Sequence, residues 1–184
     1  WFLMQELRDM SMSNPENLLV CYPSLMPENG FWQSFWEKNW AKCRYFIRNE
    51  RIGDSFITRP QAFHIYGKPF AELWKTIWDG KNVCFVTGEV SRMNAEHTIF
   101  SNLANKDFVY SKSTDAYEDL DSVVSKCRAM KNVDMFLIAL GPAGTALAYR
   151  LDMLGYRALD IGHLNNSYDN AINKAPRPES LRFR

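Results

Sequence analysis

The stretch that decides the fold is residues 134–162, DMFLIALGPAGTALAYRLDMLGYRALDIG. It opens with a continuous apolar run at 134–140, which is typical of a strand that is buried on both faces. A glycine-rich turn follows, and residues 145–154 then predict a helix with Gly155 as its natural C-cap. Residues 157–162 predict a further strand. A strand, a helix and a strand in this order indicate a parallel βαβ unit.

The same alternation extends upstream of this unit. Apolar runs at 83–88 and 107–110 predict strands, and residues 68–78, 93–104 and 115–130 predict helices. The strands are continuous apolar runs rather than alternating ones, so both faces of the sheet must be covered. The last hundred residues therefore predict an α/β fold, a mostly parallel sheet with helices on both faces.

The first third of the chain is less regular. Residues 2–12 and 31–47 predict helices, residues 18–22 a short buried strand, and residues 55–60 a strand that a proline ends. The apolar stripe of 31–47 is rich in Phe and Trp. We interpret it as a core-facing helix, with an exposed aromatic platform for a sugar as the alternative.

Length and charge limit the class of protein. The chain has 184 residues and a net charge of +1, which fits one domain and offers no basic stripe for a nucleic-acid partner. We predict a single domain over residues 1–175, followed by a polar tail at 176–184 that is loose or docked as an arm. The longest apolar stretch, 135–140, is far shorter than the roughly 20 residues of a membrane-spanning helix.

The cysteines indicate a reducing compartment. The four cysteines are scattered and form no CxxC pair, and a chain of this length needs no disulfide to hold its core. Cys84 lies within an apolar run and is predicted to be a buried small hydrophobe. We therefore expect a cytoplasmic protein without disulfides.

The candidate functional residues follow the predicted strands. Ligands of open α/β sheets bind beyond the carboxyl ends of the strands, near a switch in strand order. The residues that the sequence places there are Arg59, Thr87, Gly88, Glu89, Gly141, Pro142, Ala143, Gly144, Thr145, Asp160, Gly162 and His163.

The turn at 141–145 is suited to a diphosphate. Its glycines let the backbone approach a ligand closely, and the helix that follows offers free N–H groups and the positive end of its dipole. The turn is neither GxGxxG nor a Walker P-loop, so an ordinary tight turn between strand and helix remains the alternative. Thr87 is a second candidate, which would donate a hydrogen bond to a phosphate or a ribose.

Asp160 and His163 form a possible polar pair at the edge of the sheet. The carboxylate would hold a ribose, a metal or an acceptor hydroxyl, and the imidazole would meet a phosphate; the alternative is a turn with its polar groups satisfied locally. His64 and His97 occupy no comparable position in the sequence. The chain has no nucleophile elbow for a Ser/His/Asp arrangement and no zinc-ligand spacing.

Four segments together resemble a known family. They are FITRP, IWDGKNVCFVTGE, FLIALGPAGTALAYRL and GYRALDIGHLNNSY, within residues 55–168, with a looser likeness over 3–26. The combination of GP-x-x-T with GY-x-x-x-DIGH carries the likeness. In order and spacing they resemble the GT-D type glycosyltransferases, formerly a domain of unknown function from bacterial polysaccharide and glycoprotein assembly.

The resemblance implies a Rossmann-like fold and transfer of a sugar from a nucleotide donor, typically a UDP-sugar, to a hydroxyl of a glycan or glycoprotein. It implies a divalent cation, Mn²⁺ or Mg²⁺. Asp160 and His163 would lie nearest the reacting centre, and the donor would bind near Arg59, residues 87–89 and residues 141–145. The alternatives are a non-catalytic nucleotide-binding domain and another Rossmann-like transferase or dinucleotide enzyme, such as a methyltransferase.

The chain departs from the family pattern at two places. The family carries an acidic Asp-x-Glu run after an early strand as its metal-binding element, and this sequence has none. Because Trp1 opens directly in a helical pattern, we expect that run upstream of it, and we expect self-association through the sheet edge that the missing strand would cover. The second departure is Ser167 before Tyr168, where the family often has a carboxylate; Asp169 is displaced by two positions. We expect these differences to alter or abolish activity.

Overall fold

A computed structural model of the chain describes residues 2–13, 16–24 and 30–181. Trp1, whose place in the predicted helix mattered above, lies outside the described residues, as do the last three residues of the tail. The chain divides into two compact units, Trp1–Ile57 and Thr58–Arg184. Each unit is described by itself below, and the single domain over 1–175 stays a prediction.

The first unit contains two helices and two short strands. Its elements are α1 (Phe2–Met12), β1 (Val20–Tyr22), α2 (Gly30–Cys43) and β2 (Ile52–Asp54). The strands pair in parallel, with Val20 opposite Ile52. The helices at 2–12 and 31–47 are therefore confirmed, although α2 ends four residues earlier than predicted. The strand predicted at 18–22 is present as β1, but Val20 is its one buried residue.

The aromatic stripe of α2 does not face a core. No described residue of α2 is buried, and the Phe31 side chain is 70% exposed. The rings instead contact one another along the helix, with 5.3 Å between the centroids of Trp32 and Phe35 and 6.1 Å between those of Trp36 and Trp40. The prediction of a core-facing helix is therefore wrong for α2. Aromatic side chains three or four residues apart contact one another along a helix whether or not the face they form is buried.

The strand predicted at 55–60 is also wrong. The strand β2 comes just before it, and residues Ser55–Thr58 form a short 3₁₀ helix instead. A carboxylate oxygen of Asp54 accepts a hydrogen bond from the N–H of Phe56 at 2.9 Å. Such a side-chain bond to the backbone two residues on turns the chain and ends the strand.

The second unit contains the sheet that the sequence predicts. Its elements in chain order are α3 (Pro60–Trp78), β3 (Asn82–Gly88), a 3₁₀ helix (Thr98–Phe100), β4 (Asn105–Ser111), a 3₁₀ helix (Ala116–Asp119), α4 (Leu120–Ala129), β5 (Met135–Ala139), α5 (Pro142–Met153), β6 (Ala158–Asp160), α6 (Leu164–Asn173) and a 3₁₀ helix (Pro178–Ser180). Among the described helices of the chain, none is long and apolar enough to cross a membrane.

The four strands of this unit are parallel and lie in the order β4-β3-β5-β6. On one face of the sheet, Phe85 packs against Phe100 and, through it, against Trp78 of α3. Phe85 pairs with Leu137, so these two side chains lie on the same face. Ile138, the next residue along β5, therefore points to the opposite face. There Gly144 of α5 packs directly over Ile138. Helices thus cover both faces, and the predicted α/β fold is confirmed.

The helix ends follow their sequence signals. Gly67 adopts φ 63° and breaks α3 into two parts, so the helix predicted at 68–78 is its second part, and the sequence analysis did not predict the first. Gly155 adopts φ 81° at the end of α5. The N–H groups of Gly155 and Tyr156 donate to the carbonyls of Asp152 and Leu151, which is the Schellman arrangement expected of a C-terminal glycine.

The helix predicted at 93–104 is wrong except for the short turn at Thr98–Phe100. In this segment side chains capture backbone N–H groups that a helix would use. The Ser91 hydroxyl accepts from Met93, the Asn94 carbonyl from Glu96, and the His97 ring from Ile99. Local bonds of this kind compete with the helical ladder.

The tail is docked rather than loose over its described residues. Pro178 is buried within the second unit. The side chain of Asn170 on α6 donates to the carbonyl of Ala175 at 2.7 Å, and Arg92 donates to the carbonyl of Leu181 at 2.6 Å. Of the two predicted states of the tail, the arm is the observed one.

All four cysteines lie among the described residues, and none of them forms a disulfide. Cys84 on β3 and Cys127 on α4 are fully buried, as predicted for Cys84, whereas Cys21 and Cys43 are half-buried. Burial raises the pKa of the Cys84 thiol to about 12 and that of Cys127 to about 11. The two buried thiols therefore stay protonated at neutral pH.

Candidate functional site

The strand order places the predicted residues at a switch point of the sheet. The strand β3 has β4 on one side and β5 on the other. The connection from β3 to β4 runs along the face of the sheet on which Phe85 lies. The helix α5, which follows β5, lies on the opposite face. The carboxyl ends of β3 and β5 lie side by side, with Thr87 opposite Ala139. Open α/β sheets bind their ligands at such a point.

The turn after β5 has the geometry that a close backbone approach requires. Gly141 adopts φ 56° and ψ −143°, a region that only glycine enters readily. Pro142 is the first residue of α5, and both Gly141 and Pro142 are exposed. The N–H of Gly144 donates to the carbonyl of Gly141 at 2.9 Å. The exposed part of the turn is therefore its first two residues.

Gly144 faces the sheet rather than the solvent. A Cβ built on it would lie 3.1 Å from Cγ2 of Ile138 and 3.4 Å from Cγ of Asp160. The glycine is needed here because α5 packs closely over the ends of β5 and β6. We therefore revise the reason for this glycine from approach of a diphosphate to contact between helix and sheet.

The segment after β3 is held by hydroxyl groups. The buried Thr87 hydroxyl lies 2.6 Å from that of Ser91 and 3.4 Å from the carbonyl of Ala139. A Cβ on Gly88 would lie 3.2 Å from Cα of Ser113, so a neighbouring loop passes closely here. Glu89 is exposed. Contacts of Thr87, Gly88 and Glu89 with a nucleotide stay predictions.

Asp160, at the end of β6, links that strand to the first turn of α5. One carboxylate oxygen accepts a hydrogen bond from the Thr145 hydroxyl at 2.7 Å, and the other accepts one from the N–H of Gly162 at 3.1 Å. Burial raises the pKa of Asp160, and these two bonds and the charge of Arg59 oppose that rise. Asp160 is therefore both an ionisable group and the tie between two predicted site segments.

His163 and Arg59 lie near this carboxyl. His163 directly precedes α6, and Arg59 directly precedes α3. Burial lowers the pKa of His163, and the positive charge of Arg59 lowers it further. The imidazole is therefore neutral at neutral pH. The structure thus brings together Arg59, Thr145, Asp160 and His163, four of the residues predicted from separate parts of the sequence.

Sequence reasoning missed the polar first turn of α6. Asn165, Asn166 and Ser167 are all buried, with 1%, 7% and 0% exposure. The Asn166 amide donates to the carbonyl of Arg92 at 3.1 Å and accepts from the Asn165 amide at 3.0 Å. The signal available in the sequence was NNS at 165–167, one residue after DIGH, a polar run where a strand end meets a helix.

Within the described residues, the side-chain oxygens of Asn165 and Ser167 have no hydrogen-bond partner. Buried polar atoms are normally paired, and an unpaired one costs about 1–3 kcal/mol. Ser167 also stands where the resembling family often has a carboxylate. A hydrogen bond from its hydroxyl to a described residue therefore does not explain why Ser167 is buried.

We expect Ser167→Ala to leave the free energy of unfolding unchanged or to raise it by about 1 kcal/mol, since it removes an unpaired buried hydroxyl. Ser111→Ala is the matched control, because Ser111 is equally buried but its hydroxyl donates to Asp119 at 3.1 Å. That variant should lose about 1 kcal/mol. Urea denaturation measures the free energy of unfolding of both variants. An equal loss of stability in Ser167→Ala would contradict the description of its hydroxyl as lacking a hydrogen bond.

His97 has a partner that the sequence analysis did not foresee. Its Nδ1 accepts a hydrogen bond from the N–H of Ile99 at 3.1 Å, which leaves Nε2 to donate to a carboxylate oxygen of Asp169 at 3.1 Å. The same oxygen accepts from Asn173. Asp169 is therefore engaged in binding His97 and Asn173.

The described residues do not fit a resident metal site. Within 2–13, 16–24 and 30–181, no three His, Cys, Asp or Glu side chains come close enough to hold one ion. Of the acidic candidates, Asp160 is bonded to Thr145 and Gly162, Asp169 to His97, and Glu89 is exposed. No chemical step is therefore assigned to a metal held by these residues.

A parallel sheet covered on both faces, with a glycine turn and charged side chains at its switch point, places the second unit among the Rossmann-like α/β proteins. The sequence profile of the family described as "Glycosyltransferase GT-D fold" matches residues 2–181. The chain belongs to this family, and the resemblance stated from the sequence is confirmed.

Two curated proteins are similar along 91% of this chain. One is "Probable glycosyl transferase Gly" of Streptococcus gordonii, at 28% identity, and the other is "Glycosyltransferase GlyD" of Streptococcus pneumoniae serotype 4, at 23% identity. The chain covers 26% and 22% of their respective lengths. It is therefore similar to about a quarter of each relative.

Solved structures agree with the fold. A glycosyltransferase (DUF1792) from Streptococcus sanguinis superposes with a TM-score of 0.80 at 25% identity, over 92% of this chain and 68% of the other. A domain of unknown function 1792, described as having a distinct glycosyltransferase fold, gives a TM-score of 0.81 at 23% identity, over 92% of this chain and 65% of the other.

Proposed function

We propose that the chain binds a nucleotide sugar, with a UDP-sugar as the expected donor, and takes part in moving the sugar to a hydroxyl of a glycan or glycoprotein. The observation that carries the proposal is the bond from Thr145 to Asp160. It fixes the amino end of α5 against the end of β6, beside Arg59 and His163. This arrangement collects an acid, a cation and an imidazole at the edge where such sheets bind nucleotides.

The chemistry requires a place for negative charge. When the bond between the sugar C1 and the diphosphate oxygen breaks, a nucleoside diphosphate leaves with its electron pair, and the acceptor oxygen forms the new bond to C1. Arg59 and the positive end of the α5 dipole are the groups of this chain that offset that charge. The exposed Gly141 and Pro142 leave the end of α5 open to a phosphate.

His163 and Asp160 would act on protons and on position. A neutral imidazole accepts a proton or a hydrogen bond, so His163 is the group suited to receive the acceptor hydroxyl proton if the transfer inverts the sugar. Asp160 would orient Thr145 and the backbone of Gly162 around the donor. A retaining transfer needs no such base, and His163 would then hydrogen-bond the leaving phosphate.

The family resemblance implies a divalent cation, and we keep Mn²⁺ or Mg²⁺ as a proposal for the reaction without assigning it ligands or a step. We further propose a bacterial, cytoplasmic setting in polysaccharide or glycoprotein assembly. The streptococcal relatives and the lack of a disulfide among the four described cysteines support that setting.

A thermal-shift screen tests the proposal against its alternatives. We expect UDP to raise the melting temperature, since a ligand stabilises the state that binds it. Addition of Mn²⁺ should raise it little further, because the described residues hold no metal site. A response to S-adenosylmethionine or NAD without one to UDP would favour another Rossmann-like enzyme. Binding of UDP without hydrolysis of a UDP-sugar, or transfer of the sugar from it, would favour a non-catalytic nucleotide-binding domain.

His163→Ala separates a functional from a structural histidine. Because its side chain makes no capping bond to α6 and is only half-buried, we expect a loss of stability below about 1 kcal/mol. Loss of an acid–base group typically lowers turnover by about 100-fold or more. Donor hydrolysis and melting temperature are measured on the same samples. A drop of many degrees with turnover preserved would make His163 a structural residue.

A further inference from the structure

The C-terminal strap, defined as residues 175–181, touches two arginines from distant parts of the second unit. The carboxylate of Glu179 lies 3.8 Å from the guanidinium of Arg59, and the carbonyl of Leu181 accepts from Arg92 at 2.6 Å. Pro178, which directly precedes Glu179 in the strap, is buried. The strap therefore offers the Glu179 carboxylate to one guanidinium group and the Leu181 carbonyl to another.

Both arginines also act on the imidazole of His163 through their charge. After burial, the charge of Arg59 is the largest influence that lowers the pKa of His163, and Arg92 acts in the same direction, whereas Glu179 raises it. The backbone of Arg92 is held against the first turn of α6 by the Asn166 amide. The charges of Arg59, Arg92 and Glu179 therefore all act on His163, which follows the end of β6.

The contact between the strap and Arg59 is open to competition. The Arg59–Glu179 pair is long, and its side chains are 41% and 65% exposed. Such an exposed pair is weak, so a ligand that carries two or more negative charges can replace the glutamate. Guanidinium groups favour phosphate oxygens, which they bind with several donors at once.

We propose that Arg59 and Arg92 together bind the diphosphate of the nucleotide, and that Glu179 on the C-terminal strap occupies the Arg59 side of this site until the diphosphate displaces it. The inference rests on the proposed function and adds to it a second arginine and a competing carboxylate. The strap then acts as an internal competitor that weakens binding of the donor and speeds release of the nucleoside diphosphate.

The test measures binding of UDP and, separately, of inorganic pyrophosphate by isothermal titration calorimetry. Glu179→Gln keeps the size of the side chain and removes its charge, and should tighten binding of both ligands by about 3-fold, the range of an exposed ion pair. Arg59→Gln should weaken both by about 10-fold or more, because it removes a charged hydrogen-bond donor. Arg59→Lys should restore part of the loss, since the charge returns without the fork.

Glu96→Gln is the matched control. Glu96 is an exposed glutamate paired with Lys106 at 3.0 Å in the same unit, and its neutralisation should change neither affinity. Circular dichroism of each variant establishes that the fold is kept. Should Arg59→Gln fail to fold, Glu179→Gln and Arg59→Lys still give the two opposite changes.

The outcomes distinguish this inference from the proposed function. Tighter binding in Glu179→Gln and weaker binding in the Arg59 variants support it. UDP binding that is the same in all variants overturns the inference and leaves the proposed function standing. If pyrophosphate follows the expected pattern but UDP binds no better than pyrophosphate, the anion site is supported and the nucleotide proposal fails. Binding of neither ligand to wild type or Glu179→Gln overturns both.

Discussion

Gly144→Val is expected to lower the free energy of unfolding by about 2–3 kcal/mol, the cost of forcing a larger side chain into a packed core. The Cβ alone would lie 3.1 Å from Cγ2 of Ile138 and 3.4 Å from Asp160. The two methyl groups of valine have no free volume on this side of α5. The packing of α5 against the sheet therefore makes this position intolerant of a branched side chain.

Urea denaturation followed by circular dichroism measures this effect. Gly30→Val is the matched control, because no atom lies within 4 Å of a Cβ built on Gly30 and its φ is not positive. It should leave stability nearly unchanged. Gly144→Ala should have a smaller effect than valine, since the helix propensity of alanine offsets part of the crowding. Equal stability of Gly144→Val and wild type would show that α5 does not pack as described.

Asp160→Asn is expected to lower donor hydrolysis or transfer by about 100-fold. The amide keeps the size of the side chain but removes the charge that holds Thr145 and Gly162, which are 2.7 and 3.1 Å away. Asp121→Asn is the control, because Asp121 is 98% exposed on α4 and pairs only at the surface with Arg150. Full activity of Asp160→Asn would remove this carboxyl from the site.

The same variant has a signature in the pH dependence of stability. Burial raises the native pKa of Asp160 above its ordinary value of 3.8, so the native state holds this proton more tightly than the unfolded state. Its contribution to stability is fully present below pH 3.8 and is lost as pH rises through the native pKa. The stability of Asp160→Asn relative to wild type should therefore increase as pH rises above 3.8. A flat difference between pH 3 and pH 7 would contradict the raised pKa.

The sheet of the second unit could be predicted because its strands are apolar on both faces. In β3, six of seven residues are buried, so the run from 83 to 88 could not be mistaken for a surface segment. The helix α6 was missed for the opposite reason. Its buried residues include Asn165, Asn166 and Ser167, and a polar buried face produces no apolar period.

The candidate site could be predicted only in part. Strand ends are visible in the sequence, and that was sufficient to nominate Asp160, His163 and the turn at 141–145. Arg92 was invisible because its importance depends on contact with residue 181, which is 89 positions further along the chain. Neither residue follows a strand directly, and only the folded chain brings them together.

Two of the four thiols are fully buried and two are half-buried, so their rates of alkylation can be used to measure local opening of the fold. A thiol reagent attacks the thiolate, and Cys84 and Cys127 form almost none while they are enclosed between β3 and α4. Their rate of alkylation is therefore set by how often the sheet of the second unit opens. Cys21 and Cys43, half-buried in the first unit, can be alkylated without such opening. The slow phase of one labelling time course therefore reports on local opening of the second unit.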